Sequence, residues 1–313
     1  NSNLPIVFMQ LLTANNLPNQ LNLLFAFIDR LLDLDYNSTI DAIVNSKHGN
    51  DLVATCNSIL LGKLLELIRD PTNPTPFLIR TDLLLLGALF GHKDLRCTAD
   101  VKTAFLNVVT KQLFNTNKLE DASLALEGLK RFLTVEENRQ MFIEAKGVQL
   151  LINLLQDANK LSQTDTTYHI LFCIWALTYS PEGSAELSTD EFVSILGRML
   201  SVMSVKSETE VLIRVMVAII KQLNPNTIFI ESAYDNDILR LLRVYQTKHY
   251  VDPELPTNIA QVADELMKGL KHISLWDKYV REVNSGSLRF SVSHKSDIFW
   301  KQNIERFGEN NYQ

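Results

Sequence analysis

Residues Ala122–Leu133 read ASLALEGLKRFL, with apolar side chains at 122, 125, 126, 129, 132 and 133. That i, i+3, i+4, i+7 spacing marks the stripe of an amphipathic helix. Thr134-Val135-Glu136-Glu137 follows and reads as a capping box, with Thr134 at the N-cap and Glu137 at N3 of a new helix. That short helix should run from Arg139 to Ala145, with Gly147 breaking it before a third helix over Val148–Leu155. Three helices thus follow one another with almost no loop.

The same grammar recurs downstream. Tyr168–Tyr179 is almost wholly apolar, so its helix should be buried on most sides. Ser180-Pro181 supplies an N-cap and a first helical residue. Ser188-x-x-Glu191 reads as another capping box, before Phe192–Val202. Val211–Leu223 is the next long helix, with Asn224-Pro225 as the cap and first residue of its successor. A fainter early copy is Thr81–Phe90, ending at Gly91. The helix ends Leu89, Leu133, Leu177 and Leu223 lie 44, 44 and 46 residues apart, and Leu270 follows 47 later. A period of ~40–47 residues with two or three helices per unit is the signature of armadillo and HEAT repeats. Asn138-Arg139, Gly147-Val148, Leu150-Leu151 and Leu154-Leu155 look like the armadillo consensus. The expected fold is all-α, an armadillo/HEAT-like right-handed α-solenoid over residues 1–274.

Composition agrees. Leucine supplies about 50 of the 313 residues, while Gly (11) and Pro (9) are sparse, which favours helices packed on helices over a sheet rich in tight turns. With 46% hydrophobic and 21% charged residues, the chain can bury a core and is not a disordered type. A net charge of −6 leaves no positive field for non-specific nucleic-acid binding. Cys56, Cys97 and Cys173 are odd in number and widely spaced, so a reducing compartment is expected, with Cys173 a small buried thiol. The apolar runs Leu83–Phe90 and Val215–Ile220 fall short of the ~18–20 residues of a membrane span, and no signal peptide is visible. The sequence opens with Asn1 rather than Met and reads as a fragment or as the ordered part of something longer.

Two stretches interrupt the repeats. Residues 70–76, DPTNPTP, are too proline-rich for helix. From about residue 275 the period fades: Trp276–Val283 reads as a short amphipathic helix, and Asn284-Ser285-Gly286-Ser287 as a turn. A last helix is capped by Ser296 or Asp297, with Phe299, Trp300, Ile304 and Phe307 as its apolar positions.

No motif of catalysis emerges. Gly62-Lys63-Leu64 is the nearest approach to a phosphate loop; it lacks the upstream glycine and the following Ser or Thr, and reads as helix. His48, His92, His169, His249, His272 and His294 form no i, i+3 or i+4 pair and lie near no Cys pair, so no metal or other cofactor is expected. Glu136-Glu137 and Asp190-Glu191 sit in first helical turns, where they complement the helix dipole.

What remains is surface. In a solenoid the last helix of each repeat lines the concave side. Arg214 and Lys221 lie seven apart with Ala218 between them, and Glu127, Lys130 and Arg131 share the non-apolar face of 122–133. Such a mixed-charge groove suits a partner helix or an extended peptide, with a plain solvated face as the alternative. Phe299 and Trp300 are either exposed anchors or the stake that holds the last helix to the core.

Two segments carry a family resemblance. The first is LKRFLTVEENRQMFIEAKGV over 129–148, continuing to FCIWALTYSP over 172–181. The second joins WDKY (276–279) and SL (287–288) to HKSDIFWKQN (294–303) and ENNY (309–312). Together they resemble the H subunit of the eukaryotic vacuolar-type proton-pumping ATPase, most specifically in the string from His294 through Phe299 and Trp300 to Asn303. The resemblance is clear over residues 120–313 and loose before them.

It implies a non-catalytic regulatory subunit of the peripheral V1 sector. The partners implied are the peripheral stalk and the membrane-sector large subunit, without nucleic acid and without membrane insertion. The implied place is the cytosolic face of vacuolar and other endomembranes. The implied action is to support coupled pumping and to restrain ATP hydrolysis in the detached sector. Residues 275–313 would be a linker and the start of a C-terminal helical domain, cut short at Gln313. The alternative is a free-standing armadillo adaptor that binds a peptide or partner helix in its concave groove.

Overall fold

The computed structural model describes residues 30, 34, 35, 38, 83, 86, 87, 90, 91, 98–115, 119–160, 164–222, 227–270, 275–284, 286 and 297–310. The readings at 62–64, 70–76, Cys56, Cys97, Leu89, Leu223, 224–225, His294 and Ser296 lie outside them. The chain divides into two compact units, Asn1–Ser180 and Pro181–Gln313.

The first unit holds α1 (Ala99–Asn115), α2 (Leu119–Phe132), α3 (Glu136–Glu144), α4 (Gly147–Lys160) and α5 (Thr164–Leu177). The second holds α6 (Pro181–Leu187), α7 (Asp190–Val202), α8 (Lys206–Gln222), α9 (Thr227–Asp235), α10 (Ile238–Gln246), α11 (Leu255–Leu270), α12 (Leu275–Asn284) and α13 (Asp297–Asn310). The first helices of successive repeats, α3, α6 and α9, begin at Glu136, Pro181 and Thr227, 45 and 46 residues apart. In the first unit α2 packs on α5 and α5 on α4; in the second α8 and α10 pack on α11.

The core is the inward stripe of each helix. On α2 it is Ala122, Ala125, Leu126, Leu129 and Phe132, all fully buried, as the spacing predicts. Phe90, Phe105 and Phe132 join three helical segments, with ring centroids 4.9, 5.2 and 5.7 Å apart. Burying each such ring contributes about 1.5–3 kcal/mol. Successive repeats are also tied by hydrogen bonds. The Cys173 thiol donates to the Leu126 carbonyl (3.6 Å), the Tyr245 hydroxyl to the Leu200 carbonyl (2.8 Å) and the Asn236 amide to Ser194 Oγ (3.2 Å). Their partners are separated by 47, 45 and 42 residues, close to the repeat length.

One junction is especially tight. The fully buried Asn138 of α3 donates from Nδ2 to the carbonyls of Phe90 (3.1 Å) and Phe132 (3.0 Å), so one amide serves two helix ends. Close by, a Cβ on Gly87 would stand 2.2 Å from the Gly128 carbonyl oxygen, and one on Gly128 would stand 2.6 Å from that of Leu83. The two helices cross backbone to backbone, and glycine on both sides is what permits it.

Several local readings need correction. Thr134 is not an N-cap: its hydroxyl donates to the Arg131 carbonyl at 2.7 Å, and Val135 precedes α3 without a side-chain cap. Ser188 likewise donates back to the Ser184 carbonyl at 2.8 Å, and Thr189 caps α7 by accepting from the Phe192 amide at 3.3 Å. A Ser or Thr hydroxyl can serve the helix behind it as readily as the one ahead. Gly147 does not break a helix but opens α4; the left-handed corner is Lys146 (φ 60°). Glycine stands at 147 because a Cβ there would lie 2.3 Å from the Phe142 ring. Asp237 (φ 59°) makes the equivalent corner between α9 and α10.

Gly128→Ala is expected to destabilise the chain by about 2–3 kcal/mol, because backbone rather than a flexible side chain must give way. Urea unfolding at unchanged m-value would read this. A loss under about 0.5 kcal/mol, the scatter of ordinary surface changes, would show that the two helices part freely.

Candidate partner-binding surface

The candidate residues fall in three places. In the first unit, Glu127, Lys130 and Arg131 are half-buried on α2, beside α5. The Lys130 ammonium lies 5.4 Å from the Phe172 ring centroid and 6.0 Å from that of Tyr168. Burial holds its pKa below the ordinary lysine value; the Glu127 charge works against that shift and the Arg131 charge with it. His169, next along α5, is held below 6.5, first by burial and then by the Lys130 charge, and its buried Nδ1 makes no hydrogen bond. Beneath them Cys173 is fully buried, and burial pushes its thiol up to about 12, which leaves it inert as a nucleophile.

In the second unit, Arg214 reaches Glu210 Oε1 at 3.0 Å and Asp252 Oδ2 at 3.1 Å. Lys221 donates to Asn258 Oδ1 at 2.6 Å, and Ala218 is half-buried between the two. These cations do share one face of α8, as their spacing predicts. Both are engaged by groups of the following repeat, which ties α8 to α11 and its approach.

The last pair belongs to the tail. Phe299 is 4% exposed and Trp300 half-buried. Their rings lie 5.1 Å apart and 6.2 and 5.7 Å from Tyr279 of α12, which itself stacks against Trp276 at 5.6 Å. This cluster stakes α13 to α12, so Phe299 is core rather than an exposed anchor. Ile304, expected among the apolar packing positions, is instead 68% exposed.

Sequence reasoning passed over a row of rings. Tyr168, Phe172, Trp175 and Tyr179 follow along α5 and its last turn, with successive centroids 6.3, 5.4 and 5.9 Å apart. The first three are half-buried and Tyr179 is 59% exposed, so this side is not enclosed as the apolar run suggested. The i, i+4, i+7, i+11 spacing of the aromatics is the signal that marks it. Among the described residues, no group of His, Cys, Asp and Glu could hold a metal ion, and no helix is long and apolar enough to cross a membrane.

Two of these environments can be measured. The fold favours neutral His169, while the unfolded chain protonates near 6.5. That stability is complete above about pH 6.5 and is lost as pH falls through the lower folded value. His169→Gln should flatten this loss below about pH 6.5 in urea titrations; an unchanged pH profile would place the acid sensitivity elsewhere. Phe299→Ala should remove about 3–5 kcal/mol of local packing and free α13. Faster limited proteolysis within 297–310 is the expected readout, and unchanged protection there would count against the stake.

The chain matches two family models, both of the V-ATPase H subunit, over residues 2–266 and 272–313. It is 30% identical over 211 residues to the V-type proton ATPase H subunit of Dictyostelium discoideum, covering 67% of this chain and 46% of that protein. Identity to the H subunit of Drosophila melanogaster is 25%, over 74% and 49% of the two chains. Identity to the probable H subunit of Oryza sativa subsp. japonica is 26%, over 98% and 69%. The chain thus spans about half the length of the first two of these curated relatives. Among solved structures, it is similar to a designed armadillo repeat protein (TM-score 0.59, 15% identity, covering 84% of this chain and 99% of that one). Another designed armadillo repeat protein, in complex with peptide (KR)4, gives a TM-score of 0.56 at 18% identity over 85% and 99%. The fold is therefore an armadillo-like helical solenoid, and the chain belongs to the V-ATPase H-subunit family.

Proposed function

We propose that this chain is a non-catalytic regulatory component of the peripheral V1 sector of a vacuolar proton-pumping ATPase. The observation that carries this reading is the run of two H-subunit domain models along the chain in succession. In this reading residues 1–274 form the solenoid that docks on the peripheral stalk, and residues 275–313 begin the helical part that faces the membrane-sector large subunit. Docking supports coupling of hydrolysis to proton transport in the assembled pump. In the detached sector the same subunit restrains ATP hydrolysis. The chain then sits on the cytosolic face of vacuolar and other endomembranes, held by protein contacts. Of the candidate residues, Glu127, Lys130 and Arg131 are favoured for partner contact. Arg214, Ala218 and Lys221 serve repeat packing first, and Phe299 with Trp300 act by holding α13 in place.

A second reading draws support from the aromatic row on α5. It is a free-standing adaptor that takes a peptide or partner helix in its concave groove; one designed armadillo repeat protein of similar fold is in complex with peptide (KR)4.

Reconstitution separates the two. The chain is added to a V1 sector purified without its own H subunit, and co-elution and ATP hydrolysis are recorded together. Co-elution with slowed hydrolysis is expected. Co-elution with unchanged hydrolysis would overturn restraint by this segment while leaving docking. Failure to co-elute would remove the assembly reading and favour the adaptor.

A further inference from the structure

We draw no further inference here: the strongest candidate, the surface patch of exposed valines Val202, Val205, Val244 and Val251 at the ends of α7 and α10 and in the turns that follow them, is an apolar face with mixed charges around it, and nothing in the structure shows what covers it.

Discussion

Helices that end inside a protein leave carbonyls that water cannot reach, and each must find a donor. Asn138 meets that demand for two helices at once, through the carbonyls of Phe90 and Phe132. An orphaned buried carbonyl costs about 1–3 kcal/mol, so this single amide decides whether two successive third helices can terminate side by side. Much else is registered on it. The Phe90, Phe105 and Phe132 rings meet because those ends are held together, and α2 comes close enough to its predecessor that only glycine fits at 87 and 128. Lys102 of α1, itself buried, then pairs with Glu137 of α3 at 2.7 Å.

The repeat was legible because it rests on hydrophobic periodicity, which survives in a single sequence. Leu126, Leu129 and Phe132 are buried where the stripe put them, and the three short first helices start one period apart. The caps were less legible, for a local reason. Thr134 and Ser188 each stand between two helices, and a hydroxyl so placed can bond backward or forward; both bond backward. The corner at Lys146 was hidden because glycine at 147 offered a ready explanation for the turn, whereas the Phe142 ring is what requires it.

The surface was legible by face and not by partner. Helical spacing put Arg214 and Lys221 together, but Asp252 and Asn258 arrive from the next repeat and carry no local signature. The tail aromatics were ambiguous between anchor and stake until Tyr279 was seen against both rings. The row on α5 was missed for the opposite reason: an apolar run reads as core, and its large rings cover one another instead.

The hydrogen bonds that Cys173, Tyr245 and Asn236 make to the preceding repeat close loops of one period and reach no farther along the chain. Such contacts need no distant segment to be present. A ribosome releasing this chain from its amino end delivers each repeat's partner just before the repeat itself, so docking can keep pace with synthesis. The aggregation-prone interval for any newly emerged Leu-rich helix is then set by the translation of about 45 residues and not by completion of the polypeptide.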